Sequence, residues 1–173
     1  MTPVVEVLRT ERLHLRHLHA ADAAFMLELL NEKPFLQNIG DRNVRTIGQA
    51  AAYIADGPAA SYKKFGFGLY AVERKGAPEP IGICGVLQRD TLDDPDLGFA
   101  FLERFWRQGY AYESAAAVMT YARATLGLKR VVAITSPENH DSAKLLHKLG
   151  FKFEKTIHLP KHEAATKLFS SEV

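Results

Sequence analysis

W-R-Q-G-Y-A, residues 106 to 111, joins an apolar strand-like run to a long helical pattern through one glycine, Gly109. Upstream, residues 96 to 102 read D-L-G-F-A-F-L, a short β-like run. Downstream, apolar residues recur at helical spacing from Ala111 to Leu126. A strand, a turn and a helix are therefore predicted. Such a turn leaves the first amides of the helix without backbone partners and places the positive end of the helix dipole beside them. We therefore expect a phosphate site at this turn.

The overall composition is that of an ordinary globular protein. The chain has 173 residues, which fits one domain (1–173) with a substantial core. Its 22 Lys and Arg residues against 20 Asp and Glu residues give a net charge of +2, and 47% of the residues are hydrophobic. A dedicated nucleic-acid binder would carry a clustered basic face, which this mixture of charges lacks. No direct binding of nucleic acid is therefore expected.

The single cysteine, Cys84, excludes an internal disulfide and fits a reducing compartment. Its neighbours, I-G-I-C-G-V from 81 to 86, favour a buried small hydrophobic side chain over a nucleophile. The first ten residues lack the apolar core of a signal peptide, and no run is long enough to span a membrane. The seven histidines do not show metal-binding spacing, so no metal is expected. We therefore expect a soluble cytoplasmic protein.

The first third of the chain predicts one strand and two helices. Residues 8–18 alternate apolar and polar side chains, which indicates a first strand with one buried face. Asp22 precedes a helical stripe that Pro34 is expected to stop. Thr46 is a candidate N-cap for a second helix, which D-G-P at 56–58 is expected to close.

The remaining elements predict one α+β domain. An antiparallel meander is indicated at residues 67–72, 80–87 and 97–102, followed by a helix at about 111–127 and a crossover to a β-branched strand at 130–135. A last helix carries Leu145, Leu146 and Leu149, with Gly150 in the C′ position. Two further strands are predicted near 152–158 and 164–169.

Four stretches together resemble the RimJ/RimL-like branch of the GNAT acetyltransferase superfamily, whose best-known members acetylate the N-terminal amine of ribosomal proteins. No single motif would suffice, and their order and spacing carry the resemblance. They are L-R-T-E-R-L-H-L-R at 8–16, L-G-F at 97–99 together with W-R-Q-G-Y-A at 106–111, N-H-D-S at 139–142, and L-G-F at 149–151.

The resemblance implies a mixed, mostly antiparallel seven-stranded sheet with about four helices, in which the fourth and fifth strands splay apart and admit the pantetheine arm. It implies an acetyl-CoA-dependent N-acetyltransferase that moves an acetyl group to a primary amine by direct transfer in a ternary complex. The alternative is a non-catalytic acetyl-CoA-binding sensor of the same fold. Many superfamily members use a tyrosine as the acid that protonates the departing thiolate, and this chain has Leu146 at that position. The absence of that tyrosine keeps the alternative open.

The resemblance also implies the residues that contact acetyl-CoA. Gly109 has a physical reason to be there, since without a Cβ the chain turns sharply and phosphate oxygens reach the amides. The alternatives are a helix-capping glycine for Gly109 and plain helix capping for Asn139 and Ser142. Glu113, in the first turn, is explained by capping against the helix dipole. The expected cofactor-binding residues are Phe99, Ala100, Phe101, Arg107, Gln108, Gly109, Tyr110, Ala111, Asn139 and Ser142.

Two residues are the candidate catalytic groups. Asp96 occupies the place where the branch often has a glutamate proposed as the base, and as a shorter side chain it would act through water. Its alternative interpretation is a solvated residue of the acidic turn D-D-P-D at 93–96. Ser142, one helical turn from Leu146, is the nearest substitute for the missing acid. Its weak acidity restricts it to donating a hydrogen bond or relaying a proton.

The acceptor is left open by the sequence. In this fold it would be shaped by residues 31–45, 57–66 and 159–163, which are neither clearly acidic nor clearly apolar. A protein N-terminus and a small-molecule amine both remain candidates, as do a monomer and a homodimer. The side chains singled out in these segments are Phe35, Asn38, Tyr62, Lys63, Lys64 and Lys161.

Overall fold

The computed structural model describes residues 3–160 and 164–172, which contain eight strands in one mixed sheet. The strands are β1 (Glu6–Arg9), β2 (Leu13–His17), β3 (Leu69–Arg74), β4 (Ala77–Leu87), β5 (Asp96–Phe101), β6 (Arg130–Thr135), β7 (Lys152–Ile157) and β8 (Thr166–Glu172). Their order across the sheet is β1-β2-β3-β4-β5-β6-β8-β7. All neighbours are antiparallel except β5 and β6. The predicted fold class and the meander are confirmed.

The sheet has eight strands rather than seven because the predicted first strand is a hairpin. β1 and β2 pair antiparallel, with Leu8 opposite Leu15. The turn between them is closed by Thr10, whose amide donates to the Leu13 carbonyl and whose hydroxyl accepts from the Leu13 amide at 3.0 Å. The alternation over residues 8–18 therefore predicts β2 correctly and is wrong for the turn. The predicted fourth and fifth strands are accordingly β5 and β6.

Six α-helices are described, which is more than the four expected. They are α1 (Ala23–Leu30), α2 (Lys33–Asn38), α3 (Ile47–Ile54), α4 (Ala60–Phe65), α5 (Tyr110–Ala124) and α6 (His140–Lys148). Thr46 caps α3 as predicted, accepting from the Gln49 amide at 3.1 Å. In the described part of the chain, none of the helices has the length and apolar character needed to cross a membrane.

Two prolines act differently from the prediction. Pro34 does not stop α1, which ends at Leu30, but lies in the first turn of α2, where its missing N–H costs nothing. Pro58 does not close α3, because a π turn at Ala55–Ala59 widens the helix around the ring and continues it into α4. The helical run ends instead at Gly66, whose φ of +82° is a glycine-favouring C-terminal conformation.

The sheet has a hydrophobic core on each face. On one face α5 and α6 pack against the sheet through residues such as Val118 and Leu146. On the other face α1, α2 and α3 pack through residues such as Met26 and Ile54. Cys84 is fully buried in the first core, and burial raises the pKa of its thiol to about 12, which confirms the structural interpretation of this cysteine. The functional cleft runs between these two helical layers, where the sheet opens.

Candidate active site

The sheet opens between β5 and β6. The two strands pair at one position only, Asp96 opposite Val132, supported by the hydrogen bond from the Val132 amide to the Pro95 carbonyl at 2.9 Å. Beyond this point the strands diverge, so in the described residues the β5 edge from Leu97 to Phe101 has no strand neighbour. The opening forms part of a cleft of about 1380 Å³. The predicted splay is therefore present, and it exposes unpaired backbone groups to a ligand.

The cleft brings together most of the residues predicted from the sequence. Asp96 lies at the closed end, where the strands part. Gln108 is the exception, because its carbonyl oxygen accepts a hydrogen bond from Arg12 on the hairpin instead. The predicted residues that line the cleft are Asp96, Phe99, Ala100, Phe101, Arg107, Gly109, Tyr110, Ala111, Asn139 and Ser142.

The loop before α5 has the backbone of an anion site. Arg107 and Gly109 have φ angles of +61° and +83°, and Gly109 is the N-cap of α5. When residues with left-handed backbone conformation alternate with residues of negative φ, the N–H groups of successive residues point toward a common centre. The dipole of the following helix adds positive potential at that centre. The indole N–H of Trp106 donates to the Phe101 carbonyl at 2.8 Å, which fixes the start of the loop to the end of β5.

The loop is also held from the hairpin by a contact that the sequence does not predict, which we call the Arg12 cluster (Thr10, Arg12, Gln108 and Glu113). The Arg12 guanidinium donates to Glu113 at 2.7 Å and to the Gln108 carbonyl at 2.9 Å, and it lies 4.6 Å from the Tyr110 ring centroid. Since the carbonyl and the next N–H of a trans peptide point in opposite directions, this contact turns the Gly109 amide away from Arg12. The Arg12 cluster thus sets the orientation of the peptide group between Gln108 and Gly109.

Glu113 is therefore more than a helix cap. Its carboxylate accepts from the Thr10 hydroxyl, the Arg12 backbone amide and the Arg12 side chain. Burial alone would raise the pKa of Glu113, but these hydrogen bonds outweigh it and hold the pKa below its ordinary value. Thr10 and Arg12 belong to the T-E-R-L motif, but nothing in the sequence links them to a partner about a hundred residues away.

Asp96 is fully buried and is not the solvated turn residue that the sequence left open as an alternative. The Arg89 Nε lies 3.0 and 3.1 Å from its two carboxylate oxygens. Burial raises the pKa of Asp96 above the ordinary value of an aspartate, while the charge and hydrogen bonds of Arg89 act in the opposite direction. Arg89 also lines the cleft and carries no sequence signal of its own. The site therefore contains a buried carboxylate with increased basicity.

The start of α6 forms the opposite wall. The Asn139 side chain accepts from the Ser142 amide at 3.2 Å, so the capping interpretation of Asn139 is observed. This contact uses the backbone amide of Ser142, and Ser142 is itself one of the residues that line the cleft. Leu146, at the position of the expected tyrosine, is 1% exposed and belongs to the core. No acidic group therefore occupies that position.

The other end of the cleft is built from separate segments. Phe35, Asn38 and Lys64 line it as expected, together with Arg42 and Tyr53. Tyr62 does not, because its ring stacks on His17 at 3.8 Å and its hydroxyl accepts from the Leu18 amide. Lys63 is exposed outside the lining, and Lys161 lies outside the described residues. Across residues 3–160 and 164–172, no three His, Cys, Asp or Glu side chains come together as a metal site.

Comparisons with known proteins give the same fold. Residues 12–152 match a family model described as an acetyltransferase (GNAT) domain. The uncharacterized N-acetyltransferase YoaA of Bacillus subtilis is 30% identical over 151 residues, covering 86% of this chain and 84% of its own. An acetyltransferase from Agrobacterium tumefaciens has a TM-score of 0.82 at 24% identity, covering 100% of this chain and 96% of its own. RimL, a ribosomal L7/L12 alpha-N-protein acetyltransferase solved with coenzyme A, has a TM-score of 0.82 at 15% identity. The match covers 97% of this chain and 98% of the RimL chain.

Proposed function

The chain belongs to the GNAT acetyltransferase family, and from that premise we propose that it moves an acetyl group from acetyl-CoA to a primary amine by direct transfer in a ternary complex. The motifs predicted this family, and its assignment as an N-acetyltransferase is confirmed. The observation that carries the proposal is the continuity of the cleft. It joins the loop before α5, the free edge of β5 and the buried Asp96 in one space.

Acetyl-CoA is proposed to lie along β5. Its pyrophosphate would accept from the amides of the loop, with Arg107, Gln108, Gly109, Tyr110 and Ala111 as the backbone donors. Its pantetheine arm carries amides that suit the unpaired edge at Phe99, Ala100 and Phe101, as an added strand would. Asn139 and Ser142 would contact the same arm from the opposite wall. No metal enters this assignment.

Asp96 is proposed as the general base, acting through a water molecule. The amine must be deprotonated before it attacks the thioester. An α-amine, with a pKa of about 7.7–8.0, is deprotonated more easily than a lysine side chain, whose pKa is about 10.4. The raised pKa of Asp96 makes the carboxylate a better proton acceptor than an ordinary aspartate. Its place beside the point where β5 and β6 part puts it at the end of the proposed pantetheine path.

The reaction forms a C–N bond and breaks the C–S bond of the thioester. The proton lost by the amine nitrogen passes through water to Asp96, and the CoA sulfur leaves as a thiolate that then takes up a proton. Ser142 is proposed to donate a hydrogen bond to that sulfur or to relay the proton. The amide product and free CoA thiol together contain every atom of the amine and acetyl-CoA.

The acceptor is proposed to be a protein N-terminal α-amine or a small-molecule amine. RimL, with the same fold, is named for acetylation of a ribosomal protein N-terminus. The acceptor end of this cleft carries Arg42, Lys64 and Arg89 together with Glu32, Asp56 and Asp90, a mixture that suits a polar acceptor of either kind.

A non-catalytic acetyl-CoA sensor is the second candidate. Two observations favour it, namely Leu146 at the position of the usual acid and the ion pair that occupies Asp96. Both candidates require acetyl-CoA binding, and they differ in thiol release.

The deciding experiment is a thiol-release screen of the purified protein. Acetyl-CoA is offered with N-terminal peptides, polyamines, amino acids and aminoglycosides, and free CoA is measured. Amine-dependent release is expected. Binding is measured in parallel, because a ligand at a hundred times its dissociation constant stabilises the fold by roughly 2.7 kcal/mol. Stabilisation by acetyl-CoA without release from any amine would contradict the enzyme and support the sensor, while no stabilisation would contradict both.

A further inference from the structure

Thr135 carries a buried hydroxyl without a partner in the wall of the cleft. Three buried side-chain polar atoms in the described residues make no hydrogen bond, and they belong to His14, Arg74 and Thr135. Of these three residues, Thr135 lines the cleft. Thr135 as a whole residue is 7% exposed. A buried hydroxyl without a partner is destabilising, so its presence needs a reason.

Thr135 lies on the other side of the cleft wall from the α6 position of the missing acid, Leu146. It is the last residue of β6, three residues beyond Val132, or roughly 10 Å from the point where β5 and β6 part. Side chains alternate along a strand, so Thr135 faces the same side as Val131 and Ala133. That side is the core that holds Leu146 of α6. Thr135 and Ser142 therefore both line the cleft on the α6 side of the opening.

We propose that the Thr135 hydroxyl donates a hydrogen bond to the sulfur of acetyl-CoA as the C–S bond breaks. The inference rests on the proposed function and deepens it. As the amine nitrogen forms its bond to the acetyl carbon, the electron pair of the C–S bond moves to sulfur. The Thr135 O–H stabilises the resulting thiolate and keeps its own proton, since a threonine hydroxyl is too weak an acid to give it up. The proton that converts the thiolate to a thiol comes from the amine through Asp96 and water.

The surroundings make this hydrogen bond effective. Leu146 and Ala133 are apolar and buried, which keeps the local dielectric low and strengthens a hydrogen bond to a charged sulfur. The hydroxyl has no protein partner to give up, so it is already available for the transition state. With this hydrogen bond, the leaving sulfur has two proposed hydroxyl donors, Thr135 and Ser142.

The test compares Thr135→Val with Thr135→Ser. Valine has the same shape without the hydroxyl, so kcat is expected to fall by about ten- to a hundredfold with little change in the KM for acetyl-CoA. Serine keeps the hydroxyl and is expected to retain most of kcat. Thr156→Val, on the exposed strand β7, is the matched control and should leave both parameters unchanged.

Two further readouts separate this role from a structural one. The wild-type protein is expected to lower the pKa of the thiol of bound CoA, followed by thiolate absorbance, and Thr135→Val to remove that shift. The melting temperature of the free Thr135→Val protein is expected to rise, because the unpartnered hydroxyl is gone. If valine causes misfolding, the pKa measurement is made on Thr135→Ala.

The outcomes are distinguishable. An unchanged kcat and an unchanged thiol pKa in Thr135→Val would overturn the inference while leaving the proposed function standing. A loss of CoA affinity with kcat unchanged would show that Thr135 contacts the arm and not the leaving sulfur, which also overturns it. Absence of CoA binding and thiol release in the wild-type protein would overturn the proposed function and the inference together.

Discussion

The two ends of the cleft are built differently. The donor end comes largely from one continuous stretch, in which β5, the loop and the start of α5 follow one another between Asp96 and Ala111. The acceptor end is assembled from α2, the turn between α3 and α4, the segment after β4 and residues near Pro160. A contiguous stretch keeps its geometry through local backbone conformation, whereas the acceptor end depends on how distant segments pack. This difference explains why the donor can be inferred from a motif and the acceptor cannot.

The donor end is held by contacts to neighbouring elements. Trp106 ties the loop to β5, and Arg12 and Glu113 tie it to the hairpin. At the acceptor end, the side chain of Lys64 is exposed. We therefore expect substitutions at the donor end to change acetyl-CoA binding in a defined way, and those at the acceptor end to change only the acceptor.

The largest effect is expected at Asp96, where the two ends meet. Asp96→Asn should reduce kcat by about 10²- to 10⁴-fold, the usual contribution of a positioned base. Because the carboxylate must be ionised to act, the wild-type rate should fall as the pH drops through the raised pKa of Asp96. The asparagine variant should lack this acidic limb. The measurement is a pH–rate profile from thiol release.

The matched control is Asp94→Asn, two residues earlier in the same run. Asp94 pairs with Arg130 at 3.0 Å on the partly exposed surface, so its loss should leave the profile unaltered. Melting temperatures of both variants identify any effect of leaving Arg89 without its partner. An Asp96→Asn protein that keeps the wild-type pH profile would remove Asp96 as the base.

A smaller effect, confined to the donor end, is expected at Gly109. A side chain there must adopt a φ of +83°, and its Cβ would lie 3.1 Å from the Arg12 guanidinium. The left-handed conformation costs about 1–2 kcal/mol for a residue with a Cβ. The free loop of Gly109→Ala is expected to relax out of this conformation and to regain it on binding, so the affinity for acetyl-CoA should fall about tenfold. Calorimetry with acetyl-CoA measures it.

Gly127→Ala is the control for backbone strain alone. Gly127 has a φ of +67°, a Cβ added there would meet nothing within 4 Å, and the residue lies outside the cleft. This variant should lose stability and keep its affinity for acetyl-CoA. Equal affinities for the two variants would mean that the loop does not hold the phosphates.

The Arg12 cluster should give a more modest change. Arg12→Lys keeps the charge but loses the simultaneous contacts to Glu113 and the Gln108 carbonyl. We expect the KM for acetyl-CoA to rise about three- to tenfold with kcat largely kept, since the loop is misoriented while the reacting groups are untouched. Arg9→Lys, in the exposed pair with Glu6 on the same hairpin, is the control. A fall in kcat without a change in KM would contradict a role in orienting the loop.

The smallest effect is expected at the acceptor end. Lys64→Ala should change the KM for the acceptor by about two- to fivefold, in the range of an exposed charge contact. It should leave acetyl-CoA affinity as it is. Lys63→Ala, next to it but outside the cleft lining, should change neither. If Lys64→Ala alters acetyl-CoA binding, the donor and acceptor ends of the cleft are not separable.

The sequence predicted the elements whose determinants are local. β6 was predicted with its observed bounds, because a β-branched run between a helix end and a polar segment has one interpretation. The Thr46 cap and the loop around Gly109 were predicted for the same reason, since each depends on neighbours within a few residues.

What the sequence missed depends on distant partners. Glu113 was explained by its own helix, whereas its contacts come from Thr10 and Arg12. For Asp96 the sequence left open a candidate base and a solvated turn residue, because nothing local indicates that the sheet buries the carboxylate and supplies Arg89. The burial of the Thr135 hydroxyl without a partner depends on the packing around β6 and has no local sequence signal.

Hydrogen–deuterium exchange with and without acetyl-CoA tests most directly whether the opening between β5 and β6 is the donor site. Bound acetyl-CoA is expected to slow exchange in peptides covering residues 97–101 and 107–111, because their free amides acquire partners. Peptides from β7, at the far edge of the sheet, serve as the internal reference and should be unaffected. The account would be contradicted if acetyl-CoA binds but the amides of the β5 edge and the loop exchange as fast as in the free protein. Protection of β7 in their place would contradict it as well.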